Sequence, residues 1–180
     1  MCVRRWPNSA RRSRGKLVSV EVFGSSGLAQ PADRRLRILV AHGPNLNTLG
    51  RREPAIYGDV TLDEINTQLG EHAARLGCEL APFQSNHEGA LIDFLQAEAL
   101  AADGIVINPA GLTTTSVSLR DALSATSLPI LEVHLSNIYA REAFRHPSLI
   151  APICRGQVCG LGWRGYLYAL DALVALLQER

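Results

Sequence analysis

From residue 37 to its end the chain alternates short apolar runs with longer amphipathic segments. The run RILVA (37–41) reads as a buried strand. Thr61 followed three residues later by Glu64 makes a capping box, and Leu62, Ile65, Leu69 and Leu76 recur at helical spacing behind it. A helix therefore opens at Thr61, and Gly77 stops it. CELAPFQ (78–84) predicts a second strand, GALIDFLQAEALAA (89–102) a helix, GIVINP (104–109) a buried strand, and residues 115–125 a further helix. PILEVHL (129–135) is a fourth strand, a short fifth falls near QVCGL (157–161), and a last helix covers 165–178.

Strands separated by helices of this length predict an α/β fold: a parallel sheet covered by helices on both faces, joined by right-handed crossovers. Five strands predict the flavodoxin-like order 2-1-3-4-5, in which ligands bind beyond the carboxyl ends of the strands. Only the loops that follow strands lie on that edge. Four of them are rich in polar side chains: GPNLNTLGRREPAIYG (43–58), QSNHEG (84–89), NPAGLTTTS (108–116) and EVHLSN (132–137). The first is far longer than the roughly two to six residues that a strand-to-helix connection needs.

Alternation along EVHLSN puts Glu132, His134 and Ser136 on one face, with Val133 and Leu135 on the other. A histidine with a carboxylate two residues away is either a packed, hydrogen-bonded core residue or an acid–base group held in one tautomer; the strand-end position favours the second. Tyr57 is open to two readings as well. It packs its ring while Arg51 and Arg52 are solvated, or it is a general base whose phenol, normally near a pKa of about 10, is shifted down by the Arg52 guanidinium. NPAGLTTTS offers hydroxyls and free N–H groups suited to an anion, or is an over-capped helix start. No GxxxxGK[ST] occurs, and the only lysine is Lys16, so a Schiff-base enzyme working from the core is excluded. The chemistry left is acid–base.

Charge divides the chain. Residues 1–37 carry nine Lys+Arg against two acids, whereas the rest is acidic, although the whole has a net charge of +1. An acidic body argues against nucleic acid as a ligand. Residues 1–36 read as a basic, disordered extension with the composition of a transit peptide at its start, and 37–180 as one catalytic domain. No apolar run approaches the roughly 18 residues of a membrane span, so the chain reads as soluble and cytoplasmic, without a membrane partner. Cys2, Cys78, Cys154 and Cys159 form no CxxC pair and read as reduced thiols rather than zinc ligands.

Four stretches, HGPNLNTLGRREPAIYG, QSNHEGALIDFL, INPAGLTTTSVSLRDAL and EVHLSNIYAREAFRHPS, together resemble the type II 3-dehydroquinate dehydratase family, in order and over roughly residues 37–178. The resemblance implies a flavodoxin-like fold, elimination of water from 3-dehydroquinate through an enolate, no metal or cofactor, and a homo-oligomer, a dodecamer of trimers. It implies that GRREPAIYG is a lid, that Tyr57 removes the C2 proton beside Arg52, and that His134, oriented by Glu132, protonates the departing hydroxyl. Asn45 would hold the water that stabilises the enolate. Asn108, Leu135, Ser136 and Arg145 match the substrate pocket, and Asp121 matches a residue that reaches into a neighbouring subunit's site. Three positions depart from the family pattern. Thr114, Tyr139 and Pro147 stand where histidines are common, and Thr114 replaces one that contacts substrate. A flavodoxin-like anion-binding or regulatory module is the competing reading, but it would not need Tyr57, Arg52 and His134 together. Flavin binding is weaker still, because no aromatic pair is evident to enclose an isoalloxazine.

Overall fold

The computed structural model describes residues 34–51 and 59–179. The expectations for the basic segment up to Asp33, and for Arg52 and Tyr57, lie outside the described residues.

Five strands, β1 (Leu36–His42), β2 (Cys78–Gln84), β3 (Gly104–Asn108), β4 (Ile130–His134) and β5 (Gly156–Cys159), form one sheet in the order β2-β1-β3-β4-β5. Every pairing is parallel. The helices between them are α1 (Leu62–Leu76), α2 (Glu88–Glu98), α3 (Val117–Ala125) and α4 (Arg164–Gln178). The expected strand order is therefore the observed one.

Alternation within the strands sends side chains to two separate cores. Ile38, Val40, Val106, Leu131 and Val133 pack against Leu62, Ile65 and Leu69 of α1 and Tyr166, Leu170 and Leu173 of α4. Leu39, Ala41, Ile105, Ile107 and Ile130 face the other way, onto Leu91 and Leu95 of α2 and Leu119 and Leu123 of α3. Burial on both faces is why these strands read as continuous apolar runs. Local chemistry sets the helix limits. Thr61 and Glu64 complete the reciprocal capping box, and Gly77 ends α1 in the left-handed region at φ 71°.

Two helices differ from the sequence expectation. α2 ends at Glu98 and passes into a 3₁₀ turn at Ala99–Ala101, where Ala102 N–H reaches the Ala99 carbonyl and Leu100 stands fully exposed. α3 begins at Val117, because the Ser116 hydroxyl accepts from Leu119 N–H and ends the helix there. The preceding residues, Ala110–Thr114, form a separate 3₁₀ turn, so they present no free α-helix N-terminus.

The loops after β1 and β3 touch at Gly43, whose N–H donates to the Asn108 carbonyl at 2.8 Å. A Cβ there would sit 2.5 Å from the Pro109 carbonyl oxygen, closer than two such atoms can approach. Gly43→Ala must therefore force the two loops apart, with an expected loss of about 1–3 kcal/mol and a drop of several degrees in Tm. Thermal melting checks this; an unchanged Tm would show that the loops separate freely.

Candidate active site

The strands bring polar groups to one edge from both faces of the sheet. His42 and Asn108 lie side by side at the ends of β1 and β3, and Glu132 and Gln157 side by side on β4 and β5. A cleft of about 180 Å³ opens above β3 and β4, lined by Asn45, Asn108, Thr114, His134, Leu135, Ser136 and Arg145, among others. That volume suits a small single-ring molecule rather than a dinucleotide. Arg141 also lines it, so two arginines border the cavity against the single carboxylate of Glu142 that both pair with, a balance that favours an anionic ligand.

Glu132 is completely buried, yet it is surrounded by donors. Thr113 Oγ1 donates to its Oε1 at 2.5 Å, Gln157 Nε2 to its Oε2 at 3.0 Å, and the Ser148 hydroxyl lies 3.1 Å from both oxygens. His134 Nε2 completes the set at 2.8 Å from Oε1. Burial by itself would raise the Glu132 pKa. The bonds from His134, Thr113 and Ser148 and the charge of His134 outweigh it, and hold the carboxyl below the usual range. An ionised acceptor at Nε2 requires the Nε2–H tautomer of His134, which leaves Nδ1 as the nitrogen available to a ligand.

The donors are themselves fixed. Ser148 Oγ accepts from Ile150 N–H and Ala151 N–H at 3.1 and 2.7 Å, so its own proton is free to point at the carboxylate. Tyr139 donates its phenol proton to Gln157 Oε1 at 3.0 Å, which orients the Gln157 amide so that its nitrogen faces Glu132. The end of β4 is held from the far side by Gly160 N–H and Gly162 N–H on the His134 and Leu135 carbonyls.

The other walls are built from special backbone geometry. Asn45 adopts the left-handed conformation at φ 68°, which asparagine tolerates better than most residues, and its N–H donates to Asn86 Oδ1 at 2.7 Å. Ala110 stands at φ 51°, a costly conformation for alanine, where its N–H meets Asn108 Oδ1 at 3.2 Å. Thr114 turns its hydroxyl back onto the Gly111 carbonyl at 3.1 Å. Arg145 bonds Glu142 at 2.9 Å and lies over the Phe144 ring.

Of the residues singled out in sequence, Asn45, Asn108, Thr114, His134, Leu135, Ser136 and Arg145 meet around this cleft, and Glu132 stands behind His134. Asp121 does not join them; it lies on α3, largely exposed, paired with its neighbour Arg120. Thr113, Ser148 and Gln157 were not singled out, because an isolated Thr, Ser or Gln carries no signal until a buried carboxylate is placed beside it. Arg141 was passed over although it sits in the same AREAFR stretch as Arg145.

The arrangement defines a class: an α/β protein with a carboxylate-oriented histidine at the carboxyl edge of a parallel sheet, facing a small, positively lined cleft. Residues 36–174 match the family model described as dehydroquinase class II. The chain belongs to that family. It is 64% identical over 139 residues to a 3-dehydroquinate dehydratase from Roseiflexus castenholzii, covering 77% of this chain and 88% of the relative. It is 54% identical over 143 residues to a 3-dehydroquinate dehydratase from Halothermothrix orenii, covering 79% and 97%. Its fold matches the type II dehydroquinase of Butyrivibrio crossotus with a TM-score of 0.76 at 45% identity, over 77% of this chain and 97% of that one.

The Glu132 arrangement has a pH signature. Its pKa is lower folded than unfolded, so the stability it contributes is present above the ordinary carboxylate range and is lost as pH falls through the depressed folded value. Glu132→Gln should be destabilised at neutral pH, and the gap to the wild type should narrow in acid, starting near pH ~4.5. Denaturant titrations from pH 7 to about pH 3 measure this. A gap that stays constant would show that Glu132 does not fold as an ionised group.

Proposed function

We propose that the protein is a 3-dehydroquinate dehydratase, a cofactor-independent hydro-lyase that eliminates water from 3-dehydroquinate to give 3-dehydroshikimate in the shikimate pathway of aromatic amino acid biosynthesis. The observation that carries the reading is the His134–Glu132 pair at the cleft, in a chain that shares more than half its aligned residues with proteins of that name.

The reaction needs a base for the C2 proton, a stabiliser for the enolate and an acid for the leaving hydroxyl. His134 supplies the acid. Protonated at Nδ1 with Nε2–H held by Glu132, it gives that proton to the hydroxyl as the carbon–oxygen bond breaks. Tyr57 is the base, with Arg52 favouring its phenolate, and Asn45 holds the water that takes up the developing enolate charge. Arg145, Asn108, Ser136 and Leu135 bind the substrate, and the two cleft guanidiniums match its carboxylate. Thr114 is too short to replace the histidine usual in the family, and its hydroxyl is already engaged by Gly111, so it contributes less to affinity.

We assign catalysis to the domain that opens with β1 and regard the segment before Arg34 as a basic extension of a cytoplasmic enzyme. The assembly that fits is a dodecamer of trimers in which Asp121 enters a neighbour's site. Its exposure on α3, away from its own cleft, is consistent with that placement.

Purified protein mixed with 3-dehydroquinate should develop the ultraviolet absorbance of a conjugated enone carboxylate. Tyr57→Phe should lower turnover by at least 10²-fold with little change in folding, since a general base contributes about 10² to 10⁴-fold. Turnover retained in that variant would remove Tyr57 from the mechanism. The shared-site arrangement has its own test. Asp121→Ala and Tyr57→Phe subunits, each impaired alone, should regain activity when dissociated and reassembled together, because some mixed sites combine both intact residues. No recovery on mixing would place Asp121 in its own subunit's chemistry.

A further inference from the structure

Beneath the cleft, on the face of the sheet opposite Glu132, lies a second buried polar group that the proposed mechanism does not use. His42, at the end of β1, and Tyr166, on the first turn of α4, are both completely buried. The Tyr166 hydroxyl lies 2.7 Å from His42 Nδ1, and His42 Nε2 lies 2.9 Å from Asn66 Oδ1 on α1. Asn108, paired with His42 across β1 and β3 on the same face of the sheet, reaches the same phenol with its side chain and lines the cleft.

The donors and acceptors in this chain can be ordered in one way. Asn66 Oδ1 can only accept, so Nε2 of His42 carries the proton. Neutral His42 then accepts at Nδ1, and the Tyr166 proton must point there. The phenol oxygen, having given its proton away, can only accept from Asn108, so the Asn108 amide nitrogen faces Tyr166. Its oxygen is fixed from the other direction by Ala110 N–H at 3.2 Å. Burial keeps both members of the chain uncharged, lowering His42 to about 4 and raising Tyr166, so the order persists at neutral pH.

A lone asparagine amide can turn over and exchange its donor and acceptor ends at little cost. In a substrate cleft that would present the wrong end to a ligand hydroxyl. We propose that Tyr166 and His42 are positioning residues, which fix the Asn108 amide through the relay Asn66–His42–Tyr166–Asn108 so that its remaining N–H is held toward the substrate. The inference rests on the substrate-binding role given to Asn108 above. Four secondary-structure elements meet in it: α1, β1, α4 and β3.

Two measurements test it. The first needs no turnover: nitrogen-15 chemical shifts of His42 in the assembled wild-type protein should show a protonated Nε2 and an unprotonated, hydrogen-bonded Nδ1 at neutral pH. The opposite tautomer would overturn the relay whether or not the protein dehydrates 3-dehydroquinate. The second is kinetic. Tyr166→Phe keeps the buried ring and removes only the oxygen, and should raise KM about fivefold to tenfold, the value of one hydrogen bond, with kcat within about twofold. A purely structural role would instead reduce the amount of active enzyme and leave KM unchanged.

In an Asn108→Ala background the same change should shift KM by less than about twofold, because the relay then has nothing to position. His42→Leu should raise KM as Tyr166→Phe does, and His42→Gln, which can still accept from Tyr166 and donate to Asn66, should raise it less. An unchanged KM in folded Tyr166→Phe, or an undiminished effect of Tyr166→Phe in the Asn108→Ala background, would overturn the proposal. Should Tyr166→Phe not fold, the His42 pair decides: equal KM values for His42→Leu and His42→Gln would overturn it. Absence of turnover in the wild type would count against the dehydratase reading and leave the nitrogen-15 result to decide the relay.

Discussion

A carboxylate with no access to water must be surrounded by donors or it will not stay charged, and most of the site follows from meeting that condition at Glu132. An unpaired buried carboxylate costs several kcal/mol, which few domains can spare from their net stability. Here the donors come from four parts of the chain: His134 two residues along, Thr113 in the loop after β3, Ser148 in the loop after β4, and Gln157 on β5. The carboxylate therefore ties together the segments that form the cleft. The same bonds that keep it ionised fix the ring of His134.

The two faces of the sheet divide the work between them. Glu132 and His134 project toward the α2/α3 side, while His42 and Asn108 project toward α1 and α4. Their side chains converge only beyond the strand ends, where the cleft lies. Parallel register makes this possible, since it aligns His42 with Asn108 and Glu132 with Gln157 without any local distortion. Among the described residues the non-glycine positions in the left-handed region are Asn45, Ala110 and Ser127, all in loops, and the first two line the cavity.

Much of the fold was legible in the sequence because it rests on short-range signals. The capping box at Thr61, the glycine at 77 and the apolar strands each report their own conformation, and the period-2 reading of EVHLSN put Glu132 and His134 on a common face before any coordinate did. What was not legible depends on contacts between distant positions. The start of α3 moved to Val117 because Ser116, rather than any of the three preceding threonines, caps it. Tyr139 read only as a departure from a family pattern; its link to Glu132 runs through Gln157, 18 residues from Tyr139 and 25 from Glu132, and becomes visible only once β5 lies beside β4. His42 and Tyr166 lie 124 residues apart, and neither carries a local signature of the other.

The placement of β5 has a consequence for how the domain opens. It is a four-residue strand at the sheet edge with a single neighbour, whereas β1, β3 and β4 each have two. Its amides should exchange with solvent through small local fluctuations, and those of the three inner strands only through far rarer openings. Each time β5 lifts away, Glu132 loses Gln157 and gains access to water on that side, while Thr113, Ser148 and His134 still hold it. The buried charge is thus protected by partners of unequal persistence. A ligand bound in the cleft would be felt at the sheet edge as slower amide exchange along Gly156–Cys159, some distance from any atom it touches.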